Sequence, residues 1–391
     1  MNIGFDAKRA FFNRSGLGNY SRNVINSLGI YFSEHRYFLY VPKANIGIGE
    51  KPLFLPNDAM QVRTPPTARD TLLGGSAWRS IYMGNQIRRD RLDIYHGLSH
   101  ELPLNVRRGS AKNVVTIHDL IFLRHPQLYS FFDRLIYQQK YAFACRVADR
   151  IVAISQATKN DIVQYWGIDP QKINVINPSC HPDFYDYGDQ MMLQHGFFVQ
   201  QEYPLPYQLP DQYVLHIGGM QPRKNLLSLL KALVRLRPRL SVPIVALNYP
   251  PDSAYADSVA QYIAQNDLRS QVTLLDYVAQ THLPALYRCA AAVVYPSIAE
   301  GWGYPIVEGL CSRVPVIAAK GLEEAGGSHT QYIDPDDTEQ FAHTLEKVLT
   351  VGSLRMDMIL QGWGHAQQFR PDIIAPIMMN LYREMMHQSS L

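Results

Sequence analysis

The chain is short of the features that would assign it at a glance. Its formal net charge is only +3 over 391 residues, with 37 Lys and Arg against 34 Asp and Glu, too even a balance to argue for a nucleic-acid partner. It has four cysteines, Cys145, Cys180, Cys289 and Cys311, none in C-x-x-C spacing, and they read as reduced core thiols of a cytoplasmic protein. No apolar run approaches the ~20 residues that span a bilayer. The opening residues, MNIGFDAKRA, read as a strand rather than a charged-then-apolar leader. No second histidine stands at ligand spacing from His118-Asp119, so no metal or other cofactor is expected. The D-x-D in Asp334-Pro335-Asp336-Asp337 precedes a helix instead of ending a strand, and helix capping explains it better than a cation.

What is present is alternation. A length of 391 residues with 47% hydrophobic and 18% charged residues describes two globular domains of about 180 residues each. The first half reads as strands at Asn2 to Asp6, Tyr37 to Val41, Met60 to Arg63, Leu92 to Tyr95, Asn113 to Ile117, Arg150 to Ile154 and Ile173 to Ile176. Helices read at Ser21 to Leu28, Phe131 to Val147 and, capped by Ser155, to about Trp166. The run from Pro178 to Pro210 is rich in proline and tyrosine and marks an irregular connection. The second half alternates again, with strands at Tyr213 to Ile217, Ile244 to Leu247, Val272 to Leu275, Ala292 to Tyr295 and Val316 to Ala319. The tail, Asp357 to Met386, reads as helix broken at Pro371 and Pro376.

Several stretches carry chemistry. After the strand ending at Tyr295 comes the loop Glu300-Gly301-Trp302-Gly303-Tyr304, then a helix with Pro305 at its first position. Strand, glycine loop and helix start present backbone N–H groups and a positive dipole end to an anion. Glu300 on the loop and Glu308 one turn into the helix could accept from hydroxyls; equally, one could be a solvated loop residue and the other a dipole-friendly glutamate. Gly218-Gly219 and then Arg223-Lys224, between a strand and a helix, suit a diphosphate or a solvated helix start. Gly16 and Gly18, in the loop before the first long helix, offer a second close approach or merely a turn. His96 and His118 each end an apolar strand, where open α/β sheets bind ligands. The basic residues Arg88, Arg89, Arg91, Arg107, Arg108 and Lys112, near Trp78, Ile81 and Tyr82 on one face of a short helix, suit an anionic membrane or a solvated face.

Taken together, EGWGYPIVE with its Glu-x7-Glu, HIGGMQPRKN, SGLGNY and VVTIHDL closely resemble the retaining glycosyltransferases of family 4 over nearly the whole chain. The resemblance implies the GT-B fold, two Rossmann-like α/β domains facing across a cleft. It would place an acceptor-binding domain at 1–185, a connector at 186–211, a nucleotide-sugar domain at 212–370 and a final helix at 371–391 crossing back to the first. It implies that Lys224 and Arg223 steady the donor diphosphate, that Glu300 meets the transferred sugar and Glu308 the ribose. His118 would lie near the reacting sugar, Val278 near the base, and Gly16, Gly18, Gly219, Gly301, Trp302, Gly303, Tyr304 and Ile306 along the substrate. Many relatives carry Arg where this chain has Gly219, and INPSCHPDF lacks the glycine usual before its Asp. DIYHGLSHELPL with VVTIHDL resembles the mannosyl- and rhamnosyltransferases of bacterial surface polysaccharides, which implies a nucleotide-sugar donor, GDP-mannose first. The acceptor would be a saccharide or lipid-linked saccharide, and the place the cytoplasm or the inner membrane's cytoplasmic face. A UDP- or dTDP-sugar donor, a non-catalytic scaffold of the same fold and a nucleotide-sugar epimerase are the other readings.

Overall fold

The structure, a computed structural model, describes residues 1–42, 54, 56–65, 77–185, 205–247 and 253–387. The chain divides into two compact units, Met1–Ser179 with Pro371–Leu391, and Cys180–Arg370. Residues 186–204, most of the expected connector, lie outside the described residues.

The first unit is built on a seven-stranded parallel sheet. Its strands are β1 (Asn2–Asp6), β2 (Arg36–Tyr40), β3 (Met60–Arg63), β4 (Ile94–Gly97), β5 (Lys112–Ile117), β6 (Arg150–Ala153) and β7 (Ile173–Val175), in the order β3-β2-β1-β4-β5-β6-β7. The second unit repeats the plan with β8 (Tyr213–His216), β9 (Ile244–Leu247), β10 (Val272–Leu275), β11 (Ala290–Tyr295), β12 (Val316–Ala319) and β13 (Gln331–Ile333), in the order β10-β9-β8-β11-β12-β13. All pairings are parallel. Central strands of such sheets are covered on both faces, so they must be apolar throughout. Accordingly, every residue of β11, AAAVVY, is buried. In both sheets the strand order reverses beside the first strand, between β1 and β4 and between β8 and β11. Ligands of open α/β sheets bind in the crevice at the carboxyl ends of those strands.

The helices follow their patterns. Leu226–Leu236 buries Leu226, Leu229, Leu230, Leu233 and Leu236, one stripe at helical spacing, each contributing about 1.5–3 kcal/mol by burial. Ser155 accepts from the Thr158 N–H and caps the helix Gln156–Trp166 as its sequence predicts. Asp337 does the same for Gln340 at the start of Thr338–Thr350, so the D-x-D is a capping device.

Three expectations need correction. The first long helix is Gly16–Tyr31, not Ser21 to Leu28, so Gly16 and Gly18 belong to its first turn rather than to a loop. Asn13 Oδ1 takes the N–H groups of Ser15 and Gly18, and a Cβ at residue 18 would meet the Asn13 carbonyl oxygen at 1.9 Å. Pro376 does not break the tail: it lies inside the helix Pro371–His387, where it forfeits one N–H and the flanking turns continue. Trp78 is buried, so the expected aromatic face keeps only Ile81 and Tyr82 exposed. The side chain of Arg108 lies outside the described residues. The tail helix packs on Gly16–Tyr31.

Candidate active site

In the second unit, the switch point between β8 and β11 gathers an ion cluster. Leaving β8, the chain makes a tight turn through Gly218 and Gly219 and a short 3₁₀ segment, Pro222–Lys224, that carries the basic pair. Leaving β11, it runs through Ser297 to Glu300. Because β8 and β11 are neighbours, residues 76 and 77 positions apart meet. One oxygen of Glu300 accepts from Arg223 Nη1 at 2.7 Å, Lys224 Nζ at 2.5 Å and Ser297 Oγ at 2.6 Å. Lys224 also donates to the Tyr295 hydroxyl at 2.5 Å and lies 4.8 Å from that ring's centre. Burial pushes the Glu300 carboxyl up, but Lys224 and Arg223 outweigh it and bring its pKa down to about 2. The solvated-loop reading of Glu300 therefore fails: it is an ionised, nearly buried carboxylate.

Glu308, eight residues on, behaves in the opposite way. It lies in the helix Tyr304–Cys311, accepts from the Tyr287 hydroxyl at 2.6 Å and has no cation of its own in hydrogen-bond contact among the described residues. Burial raises its pKa to about 7 against the pull of that hydrogen bond. Gly303 caps the helix with φ 106° and ψ 54°, a conformation that a side chain resists. The Ile306 N–H donates to the Gly303 carbonyl at 3.0 Å. Gly301 and Tyr304 are half-buried, whereas Trp302 is buried edge-on against Phe369 at 5.1 Å. Val278 is half-buried on the loop after β10, the edge strand, two strands away from β8. Gly219 has φ 74°, a left-handed backbone that costs a side chain about 1 kcal/mol or more.

The switch point of the first unit sets neutral polar groups beside an ion pair: Asp6, the buried last residue of β1, accepts from Arg79, which also meets Glu101 at 2.7 Å. His118 follows β5, is buried, and donates from Nε2 to the Leu98 carbonyl at 2.8 Å, which leaves Nδ1 with the lone pair. Burial first, then neighbouring His100, lowers its pKa to about 3. Tyr20, two residues beyond Gly18, stands edge-on to the His118 ring at 4.7 Å, and its hydroxyl meets Thr116 Oγ1 at 3.0 Å. Thr116 also meets His96 Nε2 at 2.8 Å, and His96 Nδ1 meets the hydroxyl of Tyr382, from the tail helix, at 2.6 Å.

A model for "Glycosyltransferase Family 4" matches residues 15–184, and a model for "Glycosyl transferases group 1" matches residues 211–351. The chain is a family 4 glycosyltransferase. Among curated relatives of this transferase is O-antigen chain mannosyltransferase B of Escherichia coli, 29% identical over 302 residues that cover 75% of each chain. O-antigen chain mannosyltransferase RfbU of Salmonella typhimurium is 25% identical over 251 residues, 64% of this chain and 63% of that one. Sucrose-phosphate synthase from Thermosynechococcus elongatus superposes with a TM-score of 0.75 at 16% identity, over 99% of this chain and 100% of that one, which shows the shared GT-B fold.

The glycosyltransferase's structure thus joins Arg223, Lys224 and Glu300 directly. Sequence reasoning missed Ser297, Tyr295, Tyr287 and His100. A tyrosine ending the otherwise apolar β11, and a serine three residues before Glu300, were the available signals for two of them. His100 has a left-handed backbone, φ 64°, and its ring stacks on Tyr141 at 4.3 Å and lies 5.0 Å from His118; nothing local in the sequence marks it.

Proposed function

We propose that this glycosyltransferase moves a mannosyl residue from GDP-mannose to a saccharide or lipid-linked saccharide, with retention at the anomeric carbon, in the assembly of a surface polysaccharide. A working place at the cytoplasmic face of a membrane belongs to the same reading. The observation that carries it is the Arg223–Lys224–Glu300 cluster at the β8/β11 switch point, in a chain whose relatives include O-antigen mannosyltransferases.

In this reading the donor diphosphate binds beside Lys224 and Arg223. Breaking the sugar–phosphate bond develops negative charge on the leaving diphosphate, and fixed cations in a water-poor site stabilise that charge without reorganising. Glu300, ionised at neutral pH, accepts from hydroxyls of the transferred sugar while holding the two cations in place. Glu308 would accept from the ribose. His118 contributes a hydrogen-bond acceptor at Nδ1, but a pKa of about 3 makes it a poor base at neutral pH. The departing phosphate is the better acceptor for the incoming hydroxyl's proton, which fits attack from the face that the leaving group vacates.

The test is a thermal-shift panel with GDP, UDP, dTDP and ADP, each free and as a sugar conjugate. A ligand at ~100 times its dissociation constant adds about 2.7 kcal/mol to stability. A shift confined to GDP and GDP-mannose, and lost in Lys224→Ala, supports the proposal. A shift with UDP or dTDP overturns the donor while keeping the enzyme class, and no shift with any nucleotide turns the reading to a non-catalytic scaffold.

A further inference from the structure

The helix Phe131–Val147 is built differently from the leucine-striped helix Leu226–Leu236. Over 17 residues it buries only Ala142, Ala144 and Cys145. Its outward side leaves Phe131 69%, Phe132 75%, Leu135 46% and Ile136 49% exposed. At 100° per residue these four occupy one arc of about 140° over the first turns of the helix; further along the same arc come exposed Gln139, buried Ala142, half-buried Phe143 and exposed Arg146. Single exposed apolar side chains are ordinary; a contiguous stripe of aromatic and aliphatic ones on a capped, well-formed helix is not.

The surroundings extend the surface and give it a sign. Lys140 of the helix lies 3.5 Å from Glu101, which also pairs with Arg79 at 2.7 Å. The Leu104 N–H bonds to the Ser80 carbonyl at 2.8 Å, which brings exposed Leu104 beside exposed Ile81 and Tyr82. At the helix's far end, Arg107 and Lys172 both donate to the Arg146 carbonyl, at 3.3 and 3.0 Å. Arg150 follows, and Arg88 adjoins the turn at Gly109. Glu101, Asp119, Asp133 and Asp149 are acidic groups near the helix. The cations are in excess over the whole unit: Met1–Ser179 with Pro371–Leu391 holds 24 Lys and Arg against 15 Asp and Glu, a net +9, whereas Cys180–Arg370 holds 13 against 19, a net −6.

We propose that the outward face of Phe131–Val147 docks on an anionic lipid surface, its aromatic half entering the headgroup–acyl boundary and the cations at its carboxyl end meeting headgroup phosphates. An amphipathic helix lying in the interface binds through buried apolar area plus attraction to anionic lipid, and this surface supplies both. A second copy of the chain is the poorer occupant, because it would bring a like-charged face against this one. The inference names the surface for the membrane contact in the functional reading, and it does not depend on which nucleotide sugar is the donor.

The test is co-sedimentation of the full chain with vesicles of phosphatidylcholine alone and of phosphatidylcholine mixed with phosphatidylglycerol. The chain is expected on the phosphatidylglycerol vesicles, with partitioning that falls as salt rises. Phe131→Ser with Phe132→Ser should lower that partitioning by about tenfold or more while the donor-induced thermal shift stays unchanged, since neither side chain belongs to a substrate site. A Phe131→Trp variant should show a blue shift of tryptophan emission on adding those vesicles. Equal partitioning of the double variant and the parent, or no binding to phosphatidylglycerol vesicles, overturns the proposal. So does a concentration-dependent dimer on gel filtration that the double variant abolishes. Loss of the donor-induced shift in the parent chain would count against the functional reading alone.

Discussion

The two units share a strand order and its reversal, yet they bury different polar groups there: the first sets three imidazoles beside the Asp6–Arg79 ion pair, the second converges two cations on one glutamate. In the basic unit His96, His100 and His118 are each buried with pKa values near 3. The acidic unit places a charged cluster there, Glu300 with two cations. Net charge of a unit therefore says little about the charge of its site. A buried imidazole escapes the cost of desolvation by shedding its proton, whereas a buried carboxylate can stay ionised only if cations are delivered to it. In this fold the delivery comes from the loop after the neighbouring strand.

The largest effect expected from breaking this contrast is at Lys224. Lys224→Ala should reduce transfer by about 10²–10³-fold, the usual cost of removing one preorganised donor to a developing negative charge, read by steady-state kinetics with the preferred donor. An equivalent loss on Lys224→Arg would show that placement beyond charge matters. Unfolding the same Ala variant in urea should show about 3 kcal/mol less stability, because a buried ion pair has lost a partner.

Acid separates the two sites next. The histidines have folded pKa values below their unfolded 6.5, so their stabilising preference for the neutral form is present above pH 6.5 and is lost as pH falls toward 3. The Glu300 pKa is depressed from 4.5 to about 2, so its contribution of about 3 kcal/mol is present above pH 4.5 and lost only below it. Replacing His96 by Gln should flatten the stability curve between pH 6.5 and 4, and Glu300→Gln should alter it below 4.5. If both variants act in the same window, the contrast between the sites is wrong.

Glu308 gives a smaller effect of the other sign. Its folded pKa, about 7, lies above the unfolded 4.5, so its stabilisation is complete below pH 4.5 and is lost as pH rises through 7. Glu308→Gln should therefore gain about 1–3 kcal/mol on the parent chain between pH 4.5 and 8 in urea titrations at both ends. Smallest of all, Tyr382→Phe removes the hydroxyl facing His96 and should cost about 1 kcal/mol with no change in donor affinity, measured by urea unfolding and calorimetry.

Much of the architecture was legible because buried parallel strands are short apolar runs bounded by turns. Met60 to Arg63, Ile244 to Leu247, Val272 to Leu275 and Val316 to Ala319 read with their observed limits. Gly16 and Gly18 misled because glycine ordinarily signals a turn; here residue 18 needs glycine for the close approach of the Asn13 carbonyl, a contact that spacing does not reveal. Trp78 misled because a short helix face looks the same pointing inward or outward. The basic pair and the Glu-x7-Glu were visible as local patterns, but their union was not, since it depends on β8 lying beside β11. Strand order is a property of the whole sheet, and the opposite pKa values of Glu300 and Glu308 follow from it.

The tail helix has a consequence for how the chain is made. Residues 371–391 belong to the unit that begins at Met1, and Tyr382 supplies a hydrogen bond inside it. As the ribosome delivers the polypeptide from its amino end, the second unit has all its residues by Arg370, whereas the first must wait for residues 371–391. The first-born half of this enzyme is thus the last to be finished, and during synthesis its sheet stands without the helix that closes it. A ribosome stalled just before Pro371 would hold a complete second unit and a first one still lacking that helix, so termination there removes a piece of the first unit rather than of the second.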